Sequence, residues 1–224
     1  RAISYNLSAD YYAKKYQFSI NIFRTNLKDK IQFSPADDEV KKFGYSYQWE
    51  NVDDAYVQGV ELGAKANLFR NFNAGINWTF NQGKFKHERA DWSDPNNETV
   101  KEFPQRLQYA KDSRNISRFP AMTGDIDLDY TPGTWTFSLT SSLQGRMFID
   151  YNSEDDGATS KIKKTNTFMI FNCRAAKRFG TCTVYAGAKN IFSYIQDEKH
   201  TDDAAFMYAP VYGATWYVGL SVKL

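Results

Sequence analysis

From Ala55 to Phe80 the chain reads AYVQGVELGAKANLFRNFNAGINWTF, and nearly every second residue is oily or small. One set is Tyr56, Val60, Leu62, Ala64, Ala66 and Leu68, resumed at Phe72, Ala74, Ile76, Trp78 and Phe80; only Gln58 interrupts it. The residues between are Val57, Gly59, Glu61, Gly63, Lys65 and Asn67, then Asn73, Gly75, Asn77 and Thr79. Side chains of a strand alternate between the faces of its sheet, so a sustained period of two specifies strands. The stretch therefore predicts two strands, joined at Arg70-Asn71, with one oily face and one wet face.

The same period runs through the rest of the chain and predicts about nine strands, with no convincing helical period. The first covers 2–13, the second 16–34, and the third and fourth make up the stretch above. The fifth is AMTGDIDLDYT, with Met122, Ile126, Leu128 and Tyr130 opposite Thr123, Asp125, Asp127 and Asp129. The sixth carries Trp135, Phe137, Leu139 and Leu143 against Thr136, Ser138, Thr140 and Ser142. The seventh and eighth, 165–178 and 181–194, hinge at Phe179-Gly180, and the ninth is TWYVGLSVKL.

Connections of two kinds alternate strictly. AKKY, LFRN, YTPGTW and KRFG are tight, whereas 35–54, 82–118, 151–164 and 195–210 are long. Short turns on one rim and long loops on the other, with apolar-out and polar-in strands, are the pattern of a transmembrane β-barrel. Fifteen Tyr, 17 Phe and 5 Trp supply the rings that such barrels place at both membrane interfaces. On this reading the oily set meets lipid and the Asn-, Thr-, Asp- and Lys-bearing set meets water. Trp78, Trp135, Phe72, Tyr130 and Trp216 are then girdle residues. Glu61, Lys65, Asp125, Asp127, Asp129, Arg146, Arg174 and Lys189 line the interior. A soluble β-sandwich or lipocalin-like barrel is the alternative, and it would bury the oily face instead.

No run approaches the roughly 18 apolar residues of a membrane helix. The 28 basic and 26 acidic residues are nearly balanced, which points away from nucleic acid as a partner. Two cysteines, Cys173 and Cys182, flank the turn AAKRFG; they are either small wall residues or a cross-hairpin pair. The chain opens on RAISYNLSADYY, already strand-like, so a processed chain or a fragment is expected. An odd number of strands does not close a bacterial barrel, and an open edge in hydrocarbon is prohibitive. The chain is therefore expected to form one part of a larger wall.

Three segments resemble one family in the right order. KNIFSYIQDEKHTDDAAFMYAPVYGATWYVGLSVKL is similar to the C-terminal end of TonB-dependent outer-membrane receptors, with Asn190-Ile191-Phe192 standing at their Asn-Leu-Phe-like motif. NVDDAYVQGVELGAKANLF resembles their Gly-hydrophobic-Glu strand, and RFPAMTGDIDLDYTPGTWTFSLTSSLQGR their Phe-Pro strand–turn–strand unit. Ala214 stands where the family usually has Arg, and Leu224 where it usually ends in Phe or Trp; the latter implies weaker recognition by the barrel-assembly machinery. The resemblance implies an all-β, antiparallel, up-and-down transmembrane β-barrel. About nine strands here form the C-terminal part of a 22-stranded barrel, so that residues 1–224 are barrel wall and the plug domain and earlier strands lie outside the chain. It implies active uptake of a scarce nutrient (siderophore, haem, cobalamin, glycan or peptide) across a Gram-negative outer membrane. The partners implied are the TonB complex acting through the plug, outer-membrane lipids and lipopolysaccharide, and the extracellular ligand. A surface lipoprotein could also cap the barrel. A passive porin-type or structural barrel is the alternative.

No chemistry-bearing constellation points to an enzyme or a cofactor. The two histidines, His87 and His200, fall in long loops, and no Cys/His spacing suits zinc. Acidic groups at Asp37-Asp38-Glu39, Asp53-Asp54, Glu154-Asp155-Asp156 and Asp202-Asp203 are loop residues able to meet calcium or simply water. Aromatic residues in the long loops, near arginines, are suited to stacking on a flat or anionic ligand. The candidate ligand-binding residues are Tyr45, Tyr47, Trp49, Trp92, Arg106, Tyr109 and Tyr151.

Overall fold

A computed structural model describes residues 1–35, 38–151, 161–196, 208–210 and 212–223. Nine strands form one sheet: β1 (Ala2–Tyr12), β2 (Tyr16–Pro35), β3 (Tyr47–Phe69), β4 (Phe72–Phe85), β5 (Met122–Tyr130), β6 (Trp135–Gln144), β9 (Phe168–Phe179), β10 (Cys182–Lys189) and β11 (Thr215–Val222). They lie side by side in chain order, each antiparallel to its neighbours. A separate hairpin, β7 (Phe148–Tyr151) with β8 (Lys161–Lys164), sits in the long connection between β6 and β9. The connection after β4 carries α2 (Ala90–Ser93), α3 (Glu98–Glu102) and the 3-10 turns η1 (Pro104–Tyr109) and η2 (Asp112–Arg114); α1 (Asp38–Lys41) tops the β2–β3 hairpin.

The pairing register puts the oily set on one face across the sheet. Ile20 lies opposite Leu62, which lies opposite Trp78, and Leu128 lies opposite Leu139, which lies opposite Cys173. These large apolar side chains are mostly exposed, among them Leu7, Phe18, Ile22, Trp216 and Leu220. The other face is polar and cross-linked: Asn21 donates to Glu61 at 2.9 Å, Asn77 to Asp125 at 2.8 Å and Ser138 to Asp129 at 2.6 Å. Arg146 lies past the end of β6 rather than within the wall.

Two belts bound the oily band. At the short-turn rim, Phe69 stacks on Phe72 at 4.7 Å, and Tyr130, Phe137 and Trp135 continue the row at centroid separations of 5.6–6.4 Å. At the far side a polar ladder crosses the oily face. Arg24 donates to Asn26 at 3.0 Å and to Gln58 at 2.9 Å, Gln58 donates to Gln82 at 2.9 Å, and the Arg24 guanidinium lies 4.6 Å over the Tyr56 ring. Gln58, the one break in the oily stripe, is thus the middle rung. Along β4 the interval from Phe72 to Gln82 is eleven residues, about the 9–11 that a tilted strand needs to cross hydrocarbon. Trp78 lies inside this interval, with Leu62 and Gly124 as its partners, so it belongs to the middle of the wall and not to a girdle.

The tight turns use residues that tolerate positive φ, Asn71 at 67° and Gly180 at 59°. Gly187 and Gly219 serve close approach instead. A Cβ on Gly187 would fall 2.5 Å from the Tyr217 hydroxyl, and one on Gly219 would overlap the Tyr185 ring, so two tyrosines lie flat on the polar face of β10–β11. Cys173 pairs with Ala188 and Cys182 with Phe179, so the two thiols are out of register and free.

β2 and β3 continue past the ladder. Their pairing runs on to Pro35–Tyr47, while β1 stops at Leu27 and β4 at Ala55. Within the segment read as loop at 35–54, residues 47–54 therefore belong to β3 and pair with the end of β2 as a two-stranded ribbon. Its strands need not alternate oily and polar, because both faces are clear of the hydrocarbon.

Candidate functional site

The buried apolar residues are concentrated at the long-loop rim, where Phe85, Trp92, Val100, Met147, Ile149 and Ile162 lie under the loops. Asn97 caps α3, accepting from the Thr99 N–H at 3.0 Å, and Pro104 opens η1, where its missing N–H costs nothing. These short helices pack on one another and, through η1, against β8 of the separate hairpin.

Their centre is an ion cluster. Arg89 donates to both carboxylate oxygens of Asp91, at 3.1 and 2.8 Å, and to Asp150 of β7 at 2.5 Å. Arg106 donates to the same Asp91, at 3.0 Å to its carbonyl and 3.1 Å to its carboxylate. Burial disfavours the Arg89 charge, but Asp150 and Asp91 outweigh it and raise its pKa. Arg106 is shifted down, by burial first and by repulsion from Arg89, with Asp91 opposing. Two arginines sharing one aspartate, with a second aspartate 61 positions along the chain from Arg89, tie the β4–β5 loop to the β7–β8 hairpin.

The predicted ligand residues fall into two groups. Trp92, 1% exposed, and Arg106, 8% exposed, stack on each other with the guanidinium 4.4 Å over the indole, and Tyr109 meets Trp92 edge-on at 6.2 Å. These three are brought together, but Trp92 and Arg106 form the interior of the loop cap. Tyr45, in the connection between β2 and β3, and Trp49 of β3 are 65% and 73% exposed. Tyr47 and Tyr151 are placed by backbone only, at the start of β3 and the end of β7; their side chains lie outside what is described. Asp37, Glu154-Asp155-Asp156, His200 and Asp202-Asp203 also lie outside the described residues.

Two residues that the sequence offers for other reasons, Asp53 in an acidic pair and Asn190 in the Asn-Ile-Phe motif, act as anchors. Asp53 holds the start of the β4–β5 loop, accepting from the His87 backbone at 2.7 Å, with His87 Nδ1 at 3.2 Å. Asn190, at φ 51°, clasps the connection after β10: its amide donates to the Tyr194 carbonyl at 2.7 Å and the Tyr212 carbonyl at 3.2 Å, and accepts from the Tyr194 N–H at 2.9 Å. This gives the Asn-Ile-Phe motif a physical role. No group of three or more metal-ligating side chains occurs among the described residues.

A sheet with an oily face belted by aromatic rings and a polar ladder, a wet opposite face, tight turns on one rim and packed loops on the other defines a piece of transmembrane β-barrel wall. More narrowly, the chain belongs to the TonB dependent receptor-like β-barrel family, whose model matches residues 1–191. Solved structures agree in fold. The copper transporter OprC is 20% identical, with a TM-score of 0.67 over 98% of this chain and 29% of its own. The ferric citrate transporter FecA is 18% identical, with a TM-score of 0.66 over 98% of this chain and 31% of its own. The siderophore receptor PirA from Pseudomonas aeruginosa is 17% identical, with a TM-score of 0.62 over 99% and 29%. The chain thus spans about three tenths of each of these proteins, and a soluble sandwich is set aside.

Proposed function

We propose that the chain is the C-terminal wall of a TonB-dependent receptor that imports a scarce nutrient across the outer membrane of a Gram-negative cell. In this reading it forms the last nine of 22 strands, and a plug domain elsewhere in the protein couples uptake to the TonB complex. The observation that carries it is the pairing of a two-faced wall with a single packed loop rim, in a chain matched over residues 1–191 by the receptor family. The named cargoes of the similar proteins, copper, ferric citrate and siderophores, favour a metal or metal chelate. Tyr45, Tyr47, Trp49 and Tyr151 would meet this ligand from the loops, while Trp92, Arg106 and Tyr109 hold the loop cap in shape. Lipopolysaccharide would border the loop rim.

The test is uptake by cells carrying the complete receptor, with and without a functional TonB complex. Import that stops when TonB is deleted or the proton-motive force is collapsed supports the reading. Import that persists unchanged would assign the barrel to the passive, porin-type alternative.

A further inference from the structure

We propose that the lipid-facing wall carries a binding groove for one anionic glycerophospholipid of the leaflet at the short-turn rim. The inference rests on the reading of this sheet as a membrane wall. A groove of about 580 Å³ runs across β5, β6, β9, β10 and β11 on the oily face. Its floor is made of the small side chains Cys173, Ala175 and Ala186, and its sides of Phe137, Leu139 and Trp216. The register explains the shape: Phe137, Ala175, Ala186 and Val218 form one row, so two alanines separate two large residues.

An apolar groove alone selects nothing in a bilayer, because lipid tails are as apolar as the wall. The selective element is Lys177. It sits on the oily face two residues beyond Ala175, between Trp135 and Val184, close to the turn at Gly180. Its ammonium lies 4.8 Å over the Trp135 ring and 5.0 Å over the Phe179 ring. No carboxylate lies within ion-pair distance of it among the described residues. A lysine facing lipid is costly unless its charge reaches the headgroup level. There it presents an unmatched cation at one mouth of the groove, and Trp135, stacked on the lining residue Phe137 at 5.6 Å, makes the two continuous. Charge complementarity therefore favours a lipid with an anionic phosphate headgroup, its acyl chain lying over Ala175 and Ala186. A second groove on the same face, about 740 Å³ between β1 and β4 and floored by Ala9 and Ala64, has no cationic side chain on the oily face of its strands at the short-turn end, where Lys177 stands beside the first, and serves as an internal control.

The experiment uses the complete receptor, purified in mild detergent and mixed with phosphatidylglycerol and phosphatidylcholine, with retained lipids counted by native mass spectrometry. The wild type is expected to retain one phosphatidylglycerol in preference to phosphatidylcholine. Lys177→Gln should lower that preference roughly fivefold, the factor equal to about 1 kcal/mol for a lysine at an anionic surface. Ala186→Trp, which fills the groove, should remove the bound lipid, and Ala64→Trp in the second groove should not. Equal phosphatidylglycerol retention by wild type, Lys177→Gln and Ala186→Trp overturns the groove. Flotation with lipid vesicles separates the two failures: a receptor that floats but retains no phosphatidylglycerol refutes the groove alone. One that does not float refutes the membrane wall and the groove together.

Discussion

Ile76 offers the sharpest test of which face meets lipid. It lies on β4 between Ala64 and Ile126 and is 39% exposed. Phe72 and Gln82 mark the two edges of the oily band on this strand. At roughly 3.3 Å per residue and a tilt near 40°, that interval is about 25 Å tall, the height of the apolar band of outer-membrane barrels. On the same scale Ile76 stands about 10 Å from the Phe72 edge, within a few ångströms of the midplane. Ile76→Arg should therefore cost about 2–4 kcal/mol, the range for a cation at the bilayer centre. Thr79→Arg is the matched control. Thr79 points to the wet face with Glu61 and Thr123 as its strand partners, so the new charge lies near a carboxylate and the cost should stay below about 1 kcal/mol. The assay is reversible urea unfolding of the complete barrel in phospholipid vesicles, followed by tryptophan emission. A Thr79→Arg variant as unstable as Ile76→Arg would falsify the assignment of faces.

Asp150→Ala removes one of the two carboxylates that hold Arg89, whose side chain is 11% exposed; since Asp150 is itself 33% exposed, a loss of about 1–2 kcal/mol is expected. Backbone amides of β7 and β8 should then exchange hydrogen roughly tenfold faster or more, and unchanged protection would show that the ion cluster does not fasten the hairpin. Asn190→Ala gives up the clasp on Tyr194 and Tyr212 as well as a residue tolerant of φ 51°, so a loss of about 2–4 kcal/mol is expected. Asn190→Gly keeps only the backbone freedom and should fall between; equal unfolding midpoints for all three proteins would refute the clasp. Gly187→Ala drives a methyl against the Cys173 carbonyl and Tyr217, costing about 1–3 kcal/mol by thermal melting, with no change as the refuting result. Mild oxidation should leave Cys173 and Cys182 as free thiols, because each faces a different partner; intramolecular loss of two hydrogens by mass spectrometry would contradict the register.

Period-two patterning was enough to read the wall. Asn21, Glu61 and Thr79 share the wet face for the same reason that Ile20, Leu62 and Trp78 share the oily one, and the strands reverse tightly at AKKY, LFRN, YTPGTW and the end of KRFG. Height within the membrane was harder to read. Trp78 looked like a girdle residue because the end of its strand could not be seen, and β4 in fact runs on to Phe85. The second strand, expected over 16–34, is matched by β2, but the start of β3 over 47–54 was hidden because a ribbon standing in water on both sides loses the alternation that marks a strand. In the loops the difficulty is of another kind. An aromatic beside an arginine fits a ligand surface and a small interior equally well. What decides for Trp92 and Arg106 is Asp91, which Arg106 shares with Arg89, while Arg89 in turn meets Asp150 from another connection. No local spacing announces a contact that depends on how two long loops fold over each other.

The Arg24–Gln58–Gln82 ladder has a consequence for the membrane itself. With the aromatic row at the opposite rim it fixes how thick a hydrocarbon slab this wall can occupy, near 25 Å along β4 at ordinary tilt. In a bilayer several ångströms thicker, three hydrogen-bonding side chains, one of them a cation, would be drawn into hydrocarbon. The lipids would have to thin around β2–β4 or the barrel tilt further, each at a modest cost per ångström of mismatch. The bacterial outer membrane is thinner than average, so the ladder acts as a gauge that fits this wall to the membrane proposed for it.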